Sequence, residues 1–562
     1  MPQRFWLNSY PIGVSHTIEQ NTFTSLPDMF DQEGAAFASK KAVSNFGSGL
    51  TYLELAELSS YFAAWLQNVM ELKKGDRVAI MLPNIMQYYV AMMGILRAGL
   101  VVVNVNPLYT EDELYYQLNN AGPVAIIVLE NFAYKVERIL STVSIRQVIV
   151  TKIGDLLGFA KSLAFNIVSK YIHKGIPSWH MPKAVSFKTV LAQGKKQAFK
   201  KVPLTQEDIA FLQYTGGTTG VSKGVILTHG NILANVDQAF TWVKNSMLKE
   251  GKEVIVAPLP LYHILSLTVS VFCFFRLGGE TVLITNPKDI PGLVKTLAKT
   301  PYTVLVGIDT LLNGLLQNQA FNNLSFSKVK LVIAGGMALQ KSVAEKWERI
   351  THVSVTQGYG LSEASPIVTI NPLNQKGYNG SIGLPLPSTD VSLRDDENNE
   401  VPVGEVGELC VRGPQVMRGY WQNEAETRQV FTEDGWLKTG DIAKFDDRGF
   451  LYIIDRLKDL IIVSGFKVYP HEVESVISSH PQVKEVAVIG IPSDITGEAV
   501  RAFVVSKTPE LKKEEIVDFC IEHLVRYKIP RSIVFVNELP KSNIGKVLRK
   551  VLRDSYLATP DK

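Results

Sequence analysis

Val78-Ala79-Ile80-Met81-Leu82 is a short apolar run, Tyr88 to Ala98 is an apolar stretch of helical length, and Leu100-Val101-Val102-Val103-Asn104-Val105 is a second short run. A second helical segment and a third run, Val124 to Val128, complete residues 75–128. Apolar runs of this length separated by helix-length segments read as β-α-β-α-β. Gly99 stands where the first helix must stop, and Thr110 with Glu113 three residues on is a capping box that opens the second. Strands alternating with helices predict a largely parallel sheet with helices on its faces.

Similar runs recur at Glu253 to Val256, Val304 to Val306, Leu331 to Ala334 and Val353 to Val355, each followed by glycine, proline or polar residues. In doubly wound sheets ligands sit beyond the carboxyl ends of such strands, so the loops that follow are where chemistry is sought. After Arg456 the pattern changes: a strand near Leu460, a helix from His471, strands at Val486 to Ile491 and Ala502 to Ser506, and a helix from Lys513 to Leu524. The expected fold class is α/β, a large N-terminal domain with doubly wound, mostly parallel sheets over 1–455 and a small C-terminal α+β domain over 456–562. Arg394 to Glu400 is polar enough to be a solvated turn.

A chain of 562 residues is too long for one ordinary core, and 46% hydrophobic with 20% charged residues is globular composition. A net charge of +4, not gathered into a basic tail, makes no electrostatic case for nucleic acid. Cys273, Cys410 and Cys520 lie far apart without CxxC spacing, which disfavours a disulfide framework or a zinc site and fits a reducing, cytoplasmic compartment. The N-terminus lacks the apolar stretch of a signal peptide, and no window reaches the roughly 20 apolar residues of a spanning helix.

The stretch Tyr214-Thr215-Gly216-Gly217-Thr218-Thr219-Gly220-Val221-Ser222-Lys223-Gly224 is the strongest local signal. Its glycines let the backbone come close to an anion, its hydroxyls donate hydrogen bonds, and its lysine supplies charge, which together suit phosphate. It is not a Walker loop, because Lys223 follows Ser222 and precedes Gly224. Instead it resembles the phosphate-binding signature of the adenylate-forming superfamily: acyl-CoA synthetases, firefly-type luciferases and the adenylation domains of peptide synthetases. The resemblance runs over roughly residues 45–550. Within it, Thr215, Gly216, Gly217, Thr218, Thr219, Gly220 and Lys223 are expected at the phosphates of ATP, with Thr215 also catalytic.

The same resemblance extends to Gln357-Gly358-Tyr359-Gly360-Leu361-Ser362-Glu363, in which the aromatic stacks on adenine and the glutamate holds Mg²⁺. Tyr359 offers a flat apolar face, and Glu363 is a hard oxygen ligand suited to a metal that also binds phosphate. Gly336, Gln357, Gly358 and Gly360 join this nucleotide site. Asp434-Gly435-Trp436-Leu437-Lys438-Thr439-Gly440-Asp441 resembles the fatty-acyl-CoA synthetase signature, with Asp441 in the place that binds the ribose hydroxyls. Lys438 stands where His is common and Ala443 where Gly is common.

Ile454-Asp455-Arg456-Leu457-Lys458-Asp459 looks like the family hinge, Arg456 reaching the nucleotide and Lys458 being the pivot. The small domain is therefore expected to be a mobile catalytic lid that rotates between two half-reactions. Ser464-Gly465-Phe466-Lys467-Val468-Tyr469-Pro470 resembles the loop that approaches coenzyme A, which places Ser464, Gly465, Phe466 and Lys467 at that substrate. Pro540-Lys541-Ser542-Asn543-Ile544-Gly545-Lys546 matches the motif whose final lysine is the adenylation catalyst. A compact mobile cation there stabilises the charge that moves onto the α-phosphate oxygens. No general base is needed, because the substrate is already a carboxylate at neutral pH.

Pro258-Leu259-Pro260-Leu261-Tyr262-His263 resembles the segment near the acyl carboxylate, so Tyr262 and His263 are expected to bind the acyl group. Gly307 and Gly335 place little bulk at strand ends, which would leave room for an alkyl chain. Residues 152–174 mix large apolar residues with Lys161, Lys170 and Lys174 and read either as a basic amphipathic helix in a membrane interface or as an ordinary packed helix. This segment, with Leu212-Gln213-Tyr214, resembles bacterial long-chain fatty-acid–CoA ligases more than aryl or acetyl ones.

The resemblance implies ATP-dependent ligation of a long-chain fatty acid to coenzyme A with Mg²⁺, no nucleic-acid partner, peripheral association with the cytoplasmic face of the membrane, and a homodimer as a further expected assembly. Two readings stand beside it. One keeps adenylation but changes the acid or the acceptor: a medium-chain or aryl acid–CoA ligase, or acyl transfer to a carrier protein. The other is a catalytically dead relative serving as a fatty-acid-binding or membrane scaffold, against which Glu363, Asp441 and Lys546 argue, since a scaffold needs no phosphate chemistry.

Overall fold

The computed structural model describes residues 4–19, 22–158, 161–162, 176–215, 222–244, 246–541 and 547–558. The β-α-β-α-β run over residues 75–128 is present as expected. Strand Arg77–Met81, helix Met86–Arg97, strand Val101–Asn104, helix Glu111–Ala121 and strand Ala125–Leu129 follow in order. Thr110 caps Glu111–Ala121 with the reciprocal Glu113 bond in place, and Gly99 takes φ +74° just past the end of the first helix. Every residue of Met86–Arg97 is buried, because helix Tyr52–Asn68 closes over it; a Cβ on Gly94 would lie 2.9 Å from Phe62.

Among the described residues these strands belong to a seven-stranded sheet in the order 185–186, 147–151, 125–129, 77–81, 101–104, 209–215, 223–228. Its pairings are parallel except for the final hairpin, Ile209–Thr215 with Lys223–Thr228. A nine-stranded sheet runs in the order 384–385, 367–370, 355–360, 331–334, 304–307, 254–257, 280–283, 41–45, 48–51, again counting described residues. Its centre is parallel and its edges antiparallel.

The strand expected at Val353 to Val355 lies instead at Val355–Gly360. It extends through the glycine motif because Gly358 and Tyr359 pair with Ile370 and Thr369 of the next strand, a partnership no local pattern encodes. The other expected strands lie within a residue or so of their observed positions, at Val254–Ala257, Val304–Gly307 and Leu331–Ala334.

The chain divides into two compact units. One holds Trp6–Asp390 and Val411–Leu437 and contains both large sheets. The other takes in Val391–Cys410 and the chain from Lys438 onward, and so reaches further back than residue 456; in it Phe5 meets Phe445 edge-on at 5.1 Å between ring centroids. From Lys438 onward the hairpin of strands Leu437–Phe445 and Leu451–Arg456 lies in this unit. The unit also contains a sheet of Phe466–Val468, Ile461–Val463, Gly497–Ser506 and Val483–Ser493, with Ser532–Phe535 alongside Gly497–Ser506. Helices Pro470–Ser478 and Lys513–His523 cover it. Residues 394–400 form a turn closed by an Arg394–Glu400 bridge, as expected.

Candidate active site

In the larger unit, the hairpin Ile209–Thr215/Lys223–Thr228 brackets the glycine-threonine stretch. Thr215 pairs with Lys223 across the ladder, and Ser222 Oγ donates to the Thr215 carbonyl at 2.8 Å. Gly216, Gly217, Thr218, Thr219 and Gly220 lie outside the described residues. Lys223 is ion-paired with Glu426, and its Nζ stands 5.3 Å over the centre of the Tyr420 ring. The segment 418–421 is laid along this strand by bonds from Ile226 N–H to Gly419 O at 3.0 Å and from Trp421 N–H to Gly224 O at 2.7 Å.

Gln357, Gly358, Tyr359 and Gly360 end the strand Val355–Gly360, and Glu363 follows on the single turn Ser362–Ala364. A Cβ on Gly360 would lie 2.0 Å from the Pro366 carbonyl oxygen, so only glycine fits. Gln357 is buried, and among the described residues its Oε1 has no hydrogen-bond partner. A buried orphan acceptor at a strand end suits a ligand donor such as an adenine amino group. Glu363 Oε1 accepts a 2.8 Å hydrogen bond from the Tyr420 hydroxyl. Burial, and then the Glu363 carboxylate, push the Tyr420 phenol above its usual range, so it remains a donor.

Among the described residues no three His, Cys, Asp or Glu cluster to form a metal cage. Mg²⁺ is commonly held by one or two carboxylates and completed by substrate phosphates and water, and Glu363 fits that donor set.

Gly335 and Gly336 lie beside Leu265, and Gly336 takes φ +79°. The space a side chain at Gly307 would need is filled differently from the expected alkyl room: its Cβ would meet Leu312 at 3.1 Å and Leu311 at 3.8 Å, so this glycine makes way for the following helix.

The segment 258–263 is held by buried polar residues that the local sequence pattern does not mark as functional. Asn84 Nδ2 donates to Ala257 O at 3.0 Å and Leu259 O at 2.8 Å, while its Oδ1 accepts from Leu261 N–H at 2.9 Å. Tyr88 donates to Asn104 at 2.7 Å and lies 3.0 Å from the Leu261 carbonyl. Asn104 donates to Gln213 at 2.9 Å, and Gln213 to the Tyr262 carbonyl at 2.7 Å. The available signal was polar Asn104 and Gln213 inside otherwise apolar strands. After His263 the helix Ile264–Ser266 widens into a π-helical stretch, Leu267–Cys273, a feature that often accompanies function.

In the smaller unit, Asp441 and Arg456 are cross-strand partners, with Arg456 Nε 3.1 Å from a buried Asp441 carboxylate. Lys458 lies on the turn Leu457–Asp459; burial and then the Arg456 charge lower its pKa. The next residue, Asp459, binds Arg553 at 2.7 Å and Arg549 at 3.4 Å, and Arg549 also binds Glu474 at 2.7 Å. Ser464 (φ 51°) and Gly465 (φ 83°) form a two-residue turn between Ile461–Val463 and Phe466–Val468, where left-handed conformations match strand twist. Phe466 is exposed and stacked on Tyr527 at 4.8 Å, and Lys467 pairs with Asp396 at 3.2 Å. Lys546 lies outside the described residues, between Lys541 and Val547, which bridge to one another.

Residues 30–421 match the family model of the AMP-binding enzyme, and residues 472–546 that of the AMP-binding enzyme C-terminal domain. Curated relatives include the long-chain-fatty-acid–CoA ligase of Escherichia coli O6:H1, 51% identical over 98% of both chains. The ligase of that name from Haemophilus influenzae is 45% identical over 100% of both chains, and that from Bacillus subtilis 39% over 98% of both. Among solved structures, ATP-bound MatB from Rhodopseudomonas palustris is 28% identical and superposes with a TM-score of 0.82 over 94% of this chain and 99% of that one.

Proposed function

The chain belongs to the AMP-binding enzyme family, and from that premise we propose that it joins a long-chain fatty acid to coenzyme A through an acyl-adenylate, releasing AMP and pyrophosphate. The observation that carries this reading is full-length similarity, 39% to 51%, to three bacterial enzymes that bear that name. ATP, Mg²⁺ and coenzyme A are its co-reactants. The fatty-acid carboxylate attacks the α-phosphorus of ATP and the bond to pyrophosphate breaks. The thiol of coenzyme A then gives up its proton and attacks the acyl carbon, and AMP leaves.

Each residue takes a role its chemistry suits. The stretch 215–223 cradles the phosphates, with Thr215 and Lys223 at its two ends. Bound at Glu363, Mg²⁺ would neutralise phosphate charge. Lys546 stabilises charge on the α-phosphate oxygens as pyrophosphate departs. Tyr359 stacks on adenine, and Gln357 accepts from its amino group beside Gly336, Gly358 and Gly360. Asp441 takes the ribose hydroxyls, with Arg456 as its ionic partner and nucleotide contact. Tyr262, His263 and Gly335 border the acyl group, and Ser464, Gly465, Phe466 and Lys467 meet coenzyme A.

The functional domains are 1–455 and 456–562, pivoting at Lys458, so that Lys546 serves adenylation and residues 464–467 serve thioester formation. Among the described residues no helix is long and apolar enough to cross a membrane. The lysines and apolar residues of 152–174 support peripheral contact with the cytoplasmic face of the membrane; most of that segment lies outside the described residues. Vesicle co-sedimentation tests the contact, and sedimentation velocity tests a homodimer.

The function is tested with acetate, cinnamate and oleate, reading pyrophosphate release with and without coenzyme A. Oleate should support turnover to the thioester, with adenylate accumulating when coenzyme A is withheld. Preference for cinnamate or acetate would overturn the long-chain assignment.

A further inference from the structure

Tyr420 has no role in the chemistry described above, yet it touches both sides of the phosphate site. The residue is 8% exposed. Its backbone is fixed by a bridge to Val225 and by its N–H donating to Thr427 Oγ1 at 2.9 Å; Thr427 in turn donates to the Asn423 carbonyl at 2.8 Å. The ring therefore has little freedom. From it the hydroxyl reaches Glu363 Oε1 at 2.8 Å, and its face carries the Lys223 ammonium, 5.3 Å from the centroid.

We propose that Tyr420 is the positioning residue of the Mg²⁺–ATP site, its hydroxyl orienting the Glu363 carboxylate and its ring face supporting the Lys223 ammonium. This rests on the reading of Glu363 as the magnesium ligand. Glu363 sits on one short turn, anchored through its carbonyl by Met417 N–H at 2.8 Å. The phenol occupies a lone pair of Oε1 and helps fix the torsion of the carboxylate, so a cation bound there would meet a carboxylate already turned. Outer partners of this kind tune metal affinity by about 10- to 100-fold. The same ring offers Lys223 a cation–π platform, while the Glu426 carboxylate is ion-paired with the same ammonium. A tyrosine combines both devices in one rigid side chain; phenylalanine retains only the platform.

The test separates the hydroxyl from the ring. Tyr420→Phe should raise the Mg²⁺ concentration giving half-maximal stabilisation of the ATP-bound protein, read by thermal shift, by about 10-fold. It should leave ATP binding without Mg²⁺, read by calorimetry, and the KM for fatty acid unchanged. Tyr420→Leu should weaken ATP binding even without Mg²⁺, because Lys223 loses its platform. A residue that merely fills space would alter the melting temperature of the free protein and leave the Mg²⁺ midpoint alone. Glu363→Gln is the companion variant. If it shifts the Mg²⁺ midpoint and Tyr420→Phe does not, the positioning role is overturned; if Glu363→Gln leaves the midpoint where it was, the magnesium assignment itself falls and this inference with it.

Discussion

An alanine at Gly360 would drive its Cβ to 2.0 Å from the Pro366 carbonyl oxygen, and a backbone atom cannot swing aside. Gly360→Ala should therefore cost about 3 kcal/mol, seen as a lower melting temperature, together with lost ATP binding because Tyr359 and Glu363 flank the strained point. His229 supplies a pH dependence. It is buried at the start of helix His229–Val243 and accepts the Leu26 N–H on Nδ1 at 3.2 Å; burial lowers its pKa from 6.5 to about 4. The unfolded chain binds the proton more tightly, so the stabilisation is complete above about pH 6.5 and is lost as pH falls toward 4, amounting to about 3 kcal/mol. The urea midpoint of wild type should exceed that of His229→Gln at pH 7, and the gap should narrow by pH 4.5. Residues legible in the sequence were those whose partners are near in the chain, such as Thr110 with Glu113 and Gly99 at its helix end. Tyr420 was illegible because its hydroxyl partner lies 57 positions away.

Elements were legible wherever one buried run made one strand. Val355–Gly360 exceeded its expected length because its C-terminal half is specified by the antiparallel strand Ile367–Ile370, and the π-helical Leu267–Cys273 has an apolar pattern that an α-helix would share. The helix Arg549–Ala558, just beyond Lys546 in the chain, is tied to the turn Leu457–Asp459 by Arg549 and Arg553 on Asp459. Asp459 is buried, and these cations together with Lys458 hold its carboxyl below the ordinary range despite that burial. Arg549→Met leaves Asp459 with Arg553 alone and Glu474 without its cation, and removing one partner of a buried pair costs about 3–5 kcal/mol. Limited proteolysis should cut residues 540–558 earlier in this variant, whereas Lys341→Met, which loses only an exposed pair with Glu345, should match wild type.

For the whole molecule, two units were expected and two are present, but the smaller one recruits 391–410 and the chain from 438, residues whose allegiance depends on pairing across long separations. If Lys458 is the pivot, Lys458→Pro should depress one half-reaction at least 10-fold more than the other. Equal loss of pyrophosphate release and of thioester formation from pre-formed acyl-adenylate would count against it. Lys546→Ala should lower adenylation by about 10²- to 10³-fold while sparing thioester formation from supplied adenylate.

The ties from Asn84, Tyr88 and Gln213 to the backbone of 257–262 have one more consequence. A turn pinned at so many carbonyls cannot lift as a flap, so any doorway for a lipid tail at His263 must open by torsion of individual side chains. Rotamer flips are in general faster than the swing of a loop. Entry of the greasy substrate would then set no speed limit on turnover.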